Sequence, residues 1–174
     1  ADRFYQFCKQ MQDPVTKIYY NGVHTLLQNS HRQAGDVNKD LYSYNSGSMI
    51  LADLLLFDIT KDSSYEQDAW QAAHATHEAF LQKNSNGTRE YKDFIWFTAI
   101  WAEGFAELEK RDASRTTEYR EVFEEMLTHG IQNCERCDGL IPHDCARDWR
   151  PDEDVYDRLL LTHCANAEMA FLLS

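Results

Sequence analysis

Apolar side chains recur at helical spacing along nearly the whole chain, and only the stretch around Lys17 to Leu27 alternates in twos over any length. The pattern predicts a nearly all-α protein with helices over residues 2–12, 46–60, 64–83, 93–111, 116–134 and 155–173, that is, three helical hairpins. The helices are of two kinds. The first, third and fifth carry a narrow apolar stripe opposite a charged face: Phe4, Phe7, Cys8 and Met11, then Tyr65, Ala69, Ala72, Ala73 and Phe80, then Tyr119, Val122, Phe123 and Met126. Such helices belong on the outside of a fold. The second, fourth and sixth are apolar almost all round, as in Met49-Ile50-Leu51-Ala52, Phe94-Ile95-Trp96-Phe97 and Leu159-Leu160-Leu161, and require burial on every side. Regular alternation of outer and inner helices is the pattern of a solenoid or toroid of hairpins, each burying its neighbour's inner helix. Residues 58–65 and 108–119 echo each other at the spacing of one hairpin. Ser63, three residues before Glu66, predicts a capping box at the start of the third helix. Three hairpins alone leave two apolar ends, so the fold is expected to be completed by something else.

Composition narrows the possible partners. With 43% hydrophobic residues, the 174-residue chain has enough apolar surface for one packed domain or part of one. Its 29 acidic against 17 basic side chains give a net charge of −12, which argues against nucleic acid and anionic membrane surfaces. The best apolar stretch, residues 49–57, is interrupted by Asp53 and falls far short of the roughly 20 residues that span a bilayer, so no membrane span is expected. Residues 1–12 lack the charged flank and apolar block of a signal peptide. Five cysteines, an odd number, do not resemble a disulfide scaffold and leave localisation open.

The segment Tyr44-Asn45-Ser46-Gly47-Ser48-Met49-Ile50, followed by the turn Lys61-Asp62-Ser63-Ser64-Tyr65, resembles the family 76 glycoside hydrolases, endo-α-1,6-mannanases with an (α/α)6 toroid. Asp13-Pro14-Val15-Thr16-Lys17-Ile18-Tyr19-Tyr20-Asn21-Gly22-Val23 is similar to that family's loop before the motif, and Lys92-Asp93-Phe94 heads a helix where the family has a similar start. The resemblance implies an all-α, (α/α)6-toroid-like array amounting to about half a toroid, the C-terminal half of a larger catalytic domain. It further implies binding and hydrolysis of α-1,6-mannan when the domain is complete, a mannan-type oligosaccharide as partner, no cofactor, and a secreted or cell-surface location. The missing half-fold or a second copy would then close the ring. The family's catalytic pair is two adjacent aspartates in the first half of its fold, and this chain has no Asp-Asp. Asp152-Glu153-Asp154 and Glu124-Glu125 do not match that position, so no catalytic residue is assigned. Asn21 stands where relatives commonly have Asp. A non-catalytic helical scaffold and a zinc-stabilised interaction module are the competing functions.

If the family's chemistry applies, retaining hydrolysis uses two carboxyl groups roughly 5 Å apart, and this chain would supply polar and aromatic walls for the sugar groove instead. The candidates are Asp36 and Asp40, Tyr44 and Asn45, Asp93 and Trp96, and His143 with Asp144, all at or just before an inner helix and able to share one rim. For Tyr44 and Asn45 a helix cap with a packed ring stands level with sugar contact, and for Asp93 the cap is favoured. Trp96 lies in an almost wholly apolar helix, which favours core packing over a sugar platform. Asp36 and Asp40 fall in a polar loop, where solvated carboxylates are common.

Cys134 and Cys137, with His143, Cys145, His163 and Cys164, have the residue types of a four-ligand zinc site. The second knuckle is missing, so free thiols or one disulfide, such as Cys137 with Cys145, account for them better and no metal ligands are assigned. Asn86-Gly87-Thr88 matches an N-glycosylation acceptor but reads first as turn chemistry. His74 and His77, and the acidic run from Glu118 to Glu125, read as solvated helix faces.

Overall fold

The computed structural model describes residues 2–24, 35–134 and 160–174. Among these residues six helices dominate: α1 (Asp2–Lys9), α2 (Ser43–Thr60), α3 (Ser63–Phe80), α4 (Ile95–Glu109), α5 (Thr117–Cys134) and α6 (Leu160–Leu172). The nearly all-α expectation needs one correction, because four short strands form two antiparallel hairpins. Strand β1 (Tyr20–Val23) pairs with β2 (Val37–Leu41), and β3 (Leu81–Lys83) pairs with β4 (Arg89–Tyr91). Strand β1 falls within the stretch that alternates in twos. Strands β3 and β4 have three residues each, too few for a period-two signal, and residues 81–83 extend the apolar rhythm of α3.

Helix α4 lies between α2 and α6 and is the centre of the core, burying Ile95, Trp101, Phe105 and Leu108. Helix α5 covers it through Phe123, whose ring lies 5.0 Å from Tyr91, 5.1 Å from Trp101 and 5.2 Å from Phe105. The stripes predicted for α3 and α5 are buried as expected, apart from Tyr65, which is half-buried. Helices α2 and α4 approach until backbone meets backbone. A Cβ added at Gly47 would lie 2.6 Å from the Ile100 carbonyl oxygen and the Trp101 Cα, and one at Gly104 would lie 3.0 Å from the Gly47 carbonyl oxygen. Glycine at position 47 is therefore a packing requirement of the seam, since any side chain would force the two helices apart.

Of the three inner helices, only α4 leaves none of its residues exposed, with Trp96, Phe97 and Ile100 among those half-buried. Helices α2 and α6 each bury the flank that faces α4, and their other sides expose Leu55 (62%), Ile59 (78%) and Phe171 (78%). The reason is position: α4 has an inner neighbour on both sides, whereas among the described residues α2 and α6 have one each. Helix α1 also turns a different face inward. Phe4 (79% exposed), Phe7 and Cys8 point outward, while Tyr5 and Met11, beyond the end of α1, are buried.

The inward face of α1 is selected by a buried polar cluster. Asp53 on α2 is fully buried, and the Tyr5 hydroxyl donates to its Oδ1 at 2.5 Å. Among the described residues its Oδ2 has no hydrogen-bond partner. Burial pushes the Asp53 carboxyl up to about 6, against the opposing pull of the Tyr5 hydrogen bond and the nearby Lys9 charge. Lys9 pairs with Asp68 of α3 at 2.7 Å and donates to the Tyr19 hydroxyl at 3.2 Å.

Two local expectations are also revised. Asp62, not Ser63, caps α3, accepting from the Ser64 N–H at 2.9 Å. His77 is buried, not solvated: its Nδ1 lies 2.9 Å from the Tyr91 hydroxyl, its ring packs on Tyr119, and burial lowers its pKa. His74 is exposed as expected. Glu118, Glu121 and Glu124 are exposed as expected, but Glu121 and Glu125 pair with Arg89, and Glu124 with Arg120.

Candidate functional site

The inner helices α2 and α4 start at the same end of the structure, side by side, and the β1–β2 hairpin stands over the start of α2. This shared end forms a rim. Helix α2 begins earlier than its periodicity predicts, so Tyr44 and Asn45 lie in its first turn and neither is the cap; the extended residue before the helix is Tyr42, which makes no side-chain cap bond. Tyr44 and Asn45 instead reach across to β1. The Tyr44 hydroxyl donates to Asn21 Oδ1 at 2.6 Å, and Asn45 Nδ2 donates to the same oxygen at 3.4 Å.

Asp93 binds the starts of both helices together. Its Oδ2 accepts from the Ser43 backbone N–H at 2.6 Å and from the Ser43 hydroxyl at 2.8 Å, while Oδ1 accepts from the Phe94 N–H at 2.8 Å. It thus caps α2, a helix fifty residues away in sequence, as well as serving its own. Burial raises its pKa, and the Ser43 and Phe94 hydrogen bonds oppose that shift.

Aromatic rings pave the space between. Tyr42 and Tyr44 stack at 5.9 Å, both meet Phe97 (5.4 and 4.6 Å), and Phe97 meets Phe94 at 5.5 Å. Phe94, 45% exposed, lies parallel to Trp96 at 5.1 Å with 3° between the planes. Trp96 therefore sits in the first turn of α4 within the rim, half-buried, with part of its surface packed against the core as expected and its ring face on Phe94. It serves both surfaces because a helix start at the edge of a core exposes a face that the interior of the same helix buries.

Asp40 is exposed near the end of β2, with its backbone N–H donating to Asn38 Oδ1 at 3.1 Å, and Asp36 is exposed just before that strand. His143 and Asp144 lie outside the described residues, as do Cys137, Cys145, the side chain of Cys134 and the acidic segment 152–154. Cys164 is exposed and free, and among the described residues no three metal-ligating side chains come together. The structure thus gathers Tyr44, Asn45, Asp93 and Trp96 at one rim and adds Asn21, Tyr42, Phe94 and Phe97. The signal for the three added rings is the aromatic pairs 42/44 and 94/97 flanking two helix starts, whereas Asn21 enters only through its contacts with Tyr44 and Asn45.

One further carboxyl pair joins α4 to α6. Glu103 lies beside Glu168, and burial, with this neighbouring carboxyl, raises the Glu103 pKa. Eight residues separate Glu103 from the start of α4, about 12 Å along the helix axis, which places the pair well below the rim.

Hairpins of paired helices, with neutral amides, a bridging carboxylate and aromatic faces at one shared end, define a helical-hairpin protein with a polar, ring-lined rim. The chain belongs to glycosyl hydrolase family 76, whose family model matches residues 1–172. Solved structures agree in fold. One is a family 76 glycoside hydrolase from a bovine Bacteroides thetaiotaomicron strain, with a TM-score of 0.77 and 24% identity, covering 97% of this chain and 36% of that one. A second is a family 76 mannosidase from Bacteroides thetaiotaomicron VPI-5482, with a TM-score of 0.76 and 22% identity, covering 99% and 47%. A third is an inactive variant of an α-1,6-mannanase from Salegentibacter sp. HEL1_6, with two consecutive aspartates changed to alanine and α-1,6-mannotetrose bound. It aligns with a TM-score of 0.67 and 19% identity, covering 99% of this chain and 50% of that one. The chain spans half or less of the length of these proteins. No curated protein matches it. None of its described helices is long and apolar enough to cross a membrane.

Proposed function

We propose that this chain is the C-terminal half of an (α/α)6 family 76 domain and supplies one wall of a groove that binds α-1,6-linked mannose chains. The observation that carries this is the rim: the rings of Tyr42, Tyr44, Phe94, Trp96 and Phe97 beside the amides of Asn21 and Asn45, in a chain of family 76. Sugars present apolar C–H faces and neutral hydroxyls, and a binding surface for them pairs ring faces with fixed amides. Asp93 serves this wall by holding the starts of α2 and α4 in register, with both of its oxygens occupied by backbone and hydroxyl donors.

Hydrolysis would come from the complete domain. No adjacent aspartates are present in this chain, and the Glu103–Glu168 pair lies below the rim, so the chain contributes binding and leaves acid and nucleophile to the remainder. The exposed apolar flanks of α2 and α6, carrying Leu55 and Ile59 on one and Leu160, Leu161 and Phe171 on the other, are the surfaces that this remainder would cover.

Titration of the chain with α-1,6-mannotetraose, followed by tryptophan fluorescence and calorimetry, tests the proposal. Saturable binding that perturbs Trp96 and is absent with a β-1,4-linked mannotetraose is expected. Equal response to both sugars, or none to either, would overturn it. The chain by itself should release no mannose from an α-1,6-mannan, and measurable turnover would contradict the division of labour.

A further inference from the structure

We infer that Asn86 is an acceptor for N-linked glycosylation, and that the first sugar of the glycan rests in a polar depression between the β3–β4 hairpin and α5. The site lies on the outer layer of the fold and is independent of the rim.

Three observations carry the inference. The first is which residues make the turn. Asn86-Gly87-Thr88 has the acceptor spacing, and the chain holds no other such triplet. Its competing reading is turn chemistry, but that work falls to Asn84 and Gly87. The Gly87 N–H donates to the Asn84 carbonyl at 3.0 Å, and Asn84 Oδ1 accepts from the Asn86 and Thr88 N–H groups at 3.0 Å each. The left-handed position is Gly87, with φ of +85°, and Asn86 does not share that conformation. The turn therefore calls for asparagine at 84 and glycine at 87, whereas at 86 it uses only a backbone N–H, which almost any residue supplies. The second is presentation. Asn86 is exposed at the tip of the β3–β4 hairpin, which packs on α5 in the outer layer, so a glycan there leaves into solvent without disturbing the core. The third is the surface beside it. A depression of about 600 Å³ is bounded by Asn86 and Thr88 on one side and by α5 on the other. Arg89 stiffens it, donating through Nε to Glu125 at 2.9 Å and pairing with Glu125 and Glu121 at 2.5 and 3.0 Å. Exposed Thr128 and Gln132, one turn apart on α5, add a hydroxyl and an amide to the same wall. Sugar hydroxyls and an acetamido group both give and accept hydrogen bonds, so a neutral sugar suits a wall of paired carboxylates, hydroxyl and amide.

The donor is an oligosaccharide carried on a lipid pyrophosphate, used by a membrane transferase as the chain is exported through the endoplasmic reticulum. In the transfer Asn86 Nδ2 bonds to C1 of the first sugar and the bond from C1 to the pyrophosphate oxygen breaks. The lipid pyrophosphate leaves with that electron pair, and the amide gives one proton to a base of the transferase.

The chain secreted from yeast, compared with the same chain made in a bacterium that lacks the transferase, tests the inference. Peptide mapping of the secreted chain should place a glycan on Asn86 in most molecules, and Asn86→Gln and Thr88→Ala should each abolish it. A folded, secreted chain that is bare at Asn86 would overturn the acceptor assignment. The seat of the first sugar has its own readout. After an endoglycosidase trims the glycan to a single sugar, the thermal midpoint should stay about 2–4 °C above that of the bacterial chain, the size of shift that a net hydrogen bond or so gives a protein of this length. The Asn86→Gln chain should melt with the bacterial one. A trimmed chain that melts no higher than the bare chain would overturn the placement of the sugar in the depression. Neither readout involves mannan binding, so both stand apart from the function proposed above.

Discussion

The two ends of the helical hairpins are built on different principles. At the turn end, polar groups serve mainly their own segment. Lys61 closes α2 in the left-handed conformation with its N–H on the Phe57 carbonyl, Asp62 caps α3, and Asp112 repeats that cap one hairpin later by accepting from the Ser114 N–H at 3.1 Å. One ion pair, Arg111 to Asp58 at 2.7 Å, joins the two turns. At the rim end, polar groups serve their neighbours: Asp93 caps α2, and Tyr44 and Asn45 hold Asn21. Local caps specify where a helix starts or stops. Caps given across a gap specify how two elements stand relative to each other, which is what a binding surface needs.

The sharpest way to break this contrast is at the seam below the rim. Gly47→Ala places a methyl group against the Trp101 backbone, where no side chain can yield, and is expected to cost about 3 kcal/mol or more in urea unfolding. Gly104→Ala, whose nearest contact is longer at 3.0 Å, should cost distinctly less. Equal losses would show that the seam is not set by position 47.

Midway between the two ends, Asp53 gives a pH signature. Its carboxyl lies near 6 in the folded protein and near about 4 when unfolded, so the native state holds the extra proton. Its contribution is fully present below about 4 and is lost as the pH rises through 6. His77, lowered by burial, acts in the opposite sense below its ordinary value, so the comparison with Asp53→Asn isolates the carboxylate. The variant should be more stable than the unchanged chain at pH 7.5, by about 2–3 kcal/mol, with the gap closing toward pH 4. A gap that does not change with pH would remove the buried charge from the account.

Smaller effects test the two ends directly. Asp93→Ala should cost about 2 kcal/mol, because three donors on two helices lose their acceptor. Asp62→Ala and Asp112→Ala should each cost distinctly less, because each removes one exposed local cap. If the rim aspartate proves no more costly than the turn aspartates, the distinction between the ends fails.

Much of this architecture was legible in the sequence, and the exceptions share a cause. All six helices of the described residues and the buried faces of α3 and α5 followed from periodicity, because side chains such as Ala69, Ala72 and Phe123 bury through apolar contact alone. The echo between the two hairpin turns proved to be a repeated aspartate cap. The face of α1 was misread because its orientation is set by polar partners, Tyr5 on Asp53 and Lys9 on Asp68, which a hydrophobic stripe cannot register. His77 was misread for the same reason: its partner, the Tyr91 hydroxyl, is brought to it by a three-residue strand. Of the predicted rim, Tyr44, Asn45, Asp93 and Trp96 come together, while Phe97 and Asn21 are joined to them only once two distant helix starts are set side by side.

Contact between the two peptide backbones at Gly47 and Gly104 has a bearing on how such proteins diversify. With no side chain in between, there is nothing to trim or enlarge, so the angle of the shelf above cannot be tuned from beneath by ordinary substitution. Any change in the shape of that shelf must then come from the hairpin and first-turn residues above the seam, not from the seam itself.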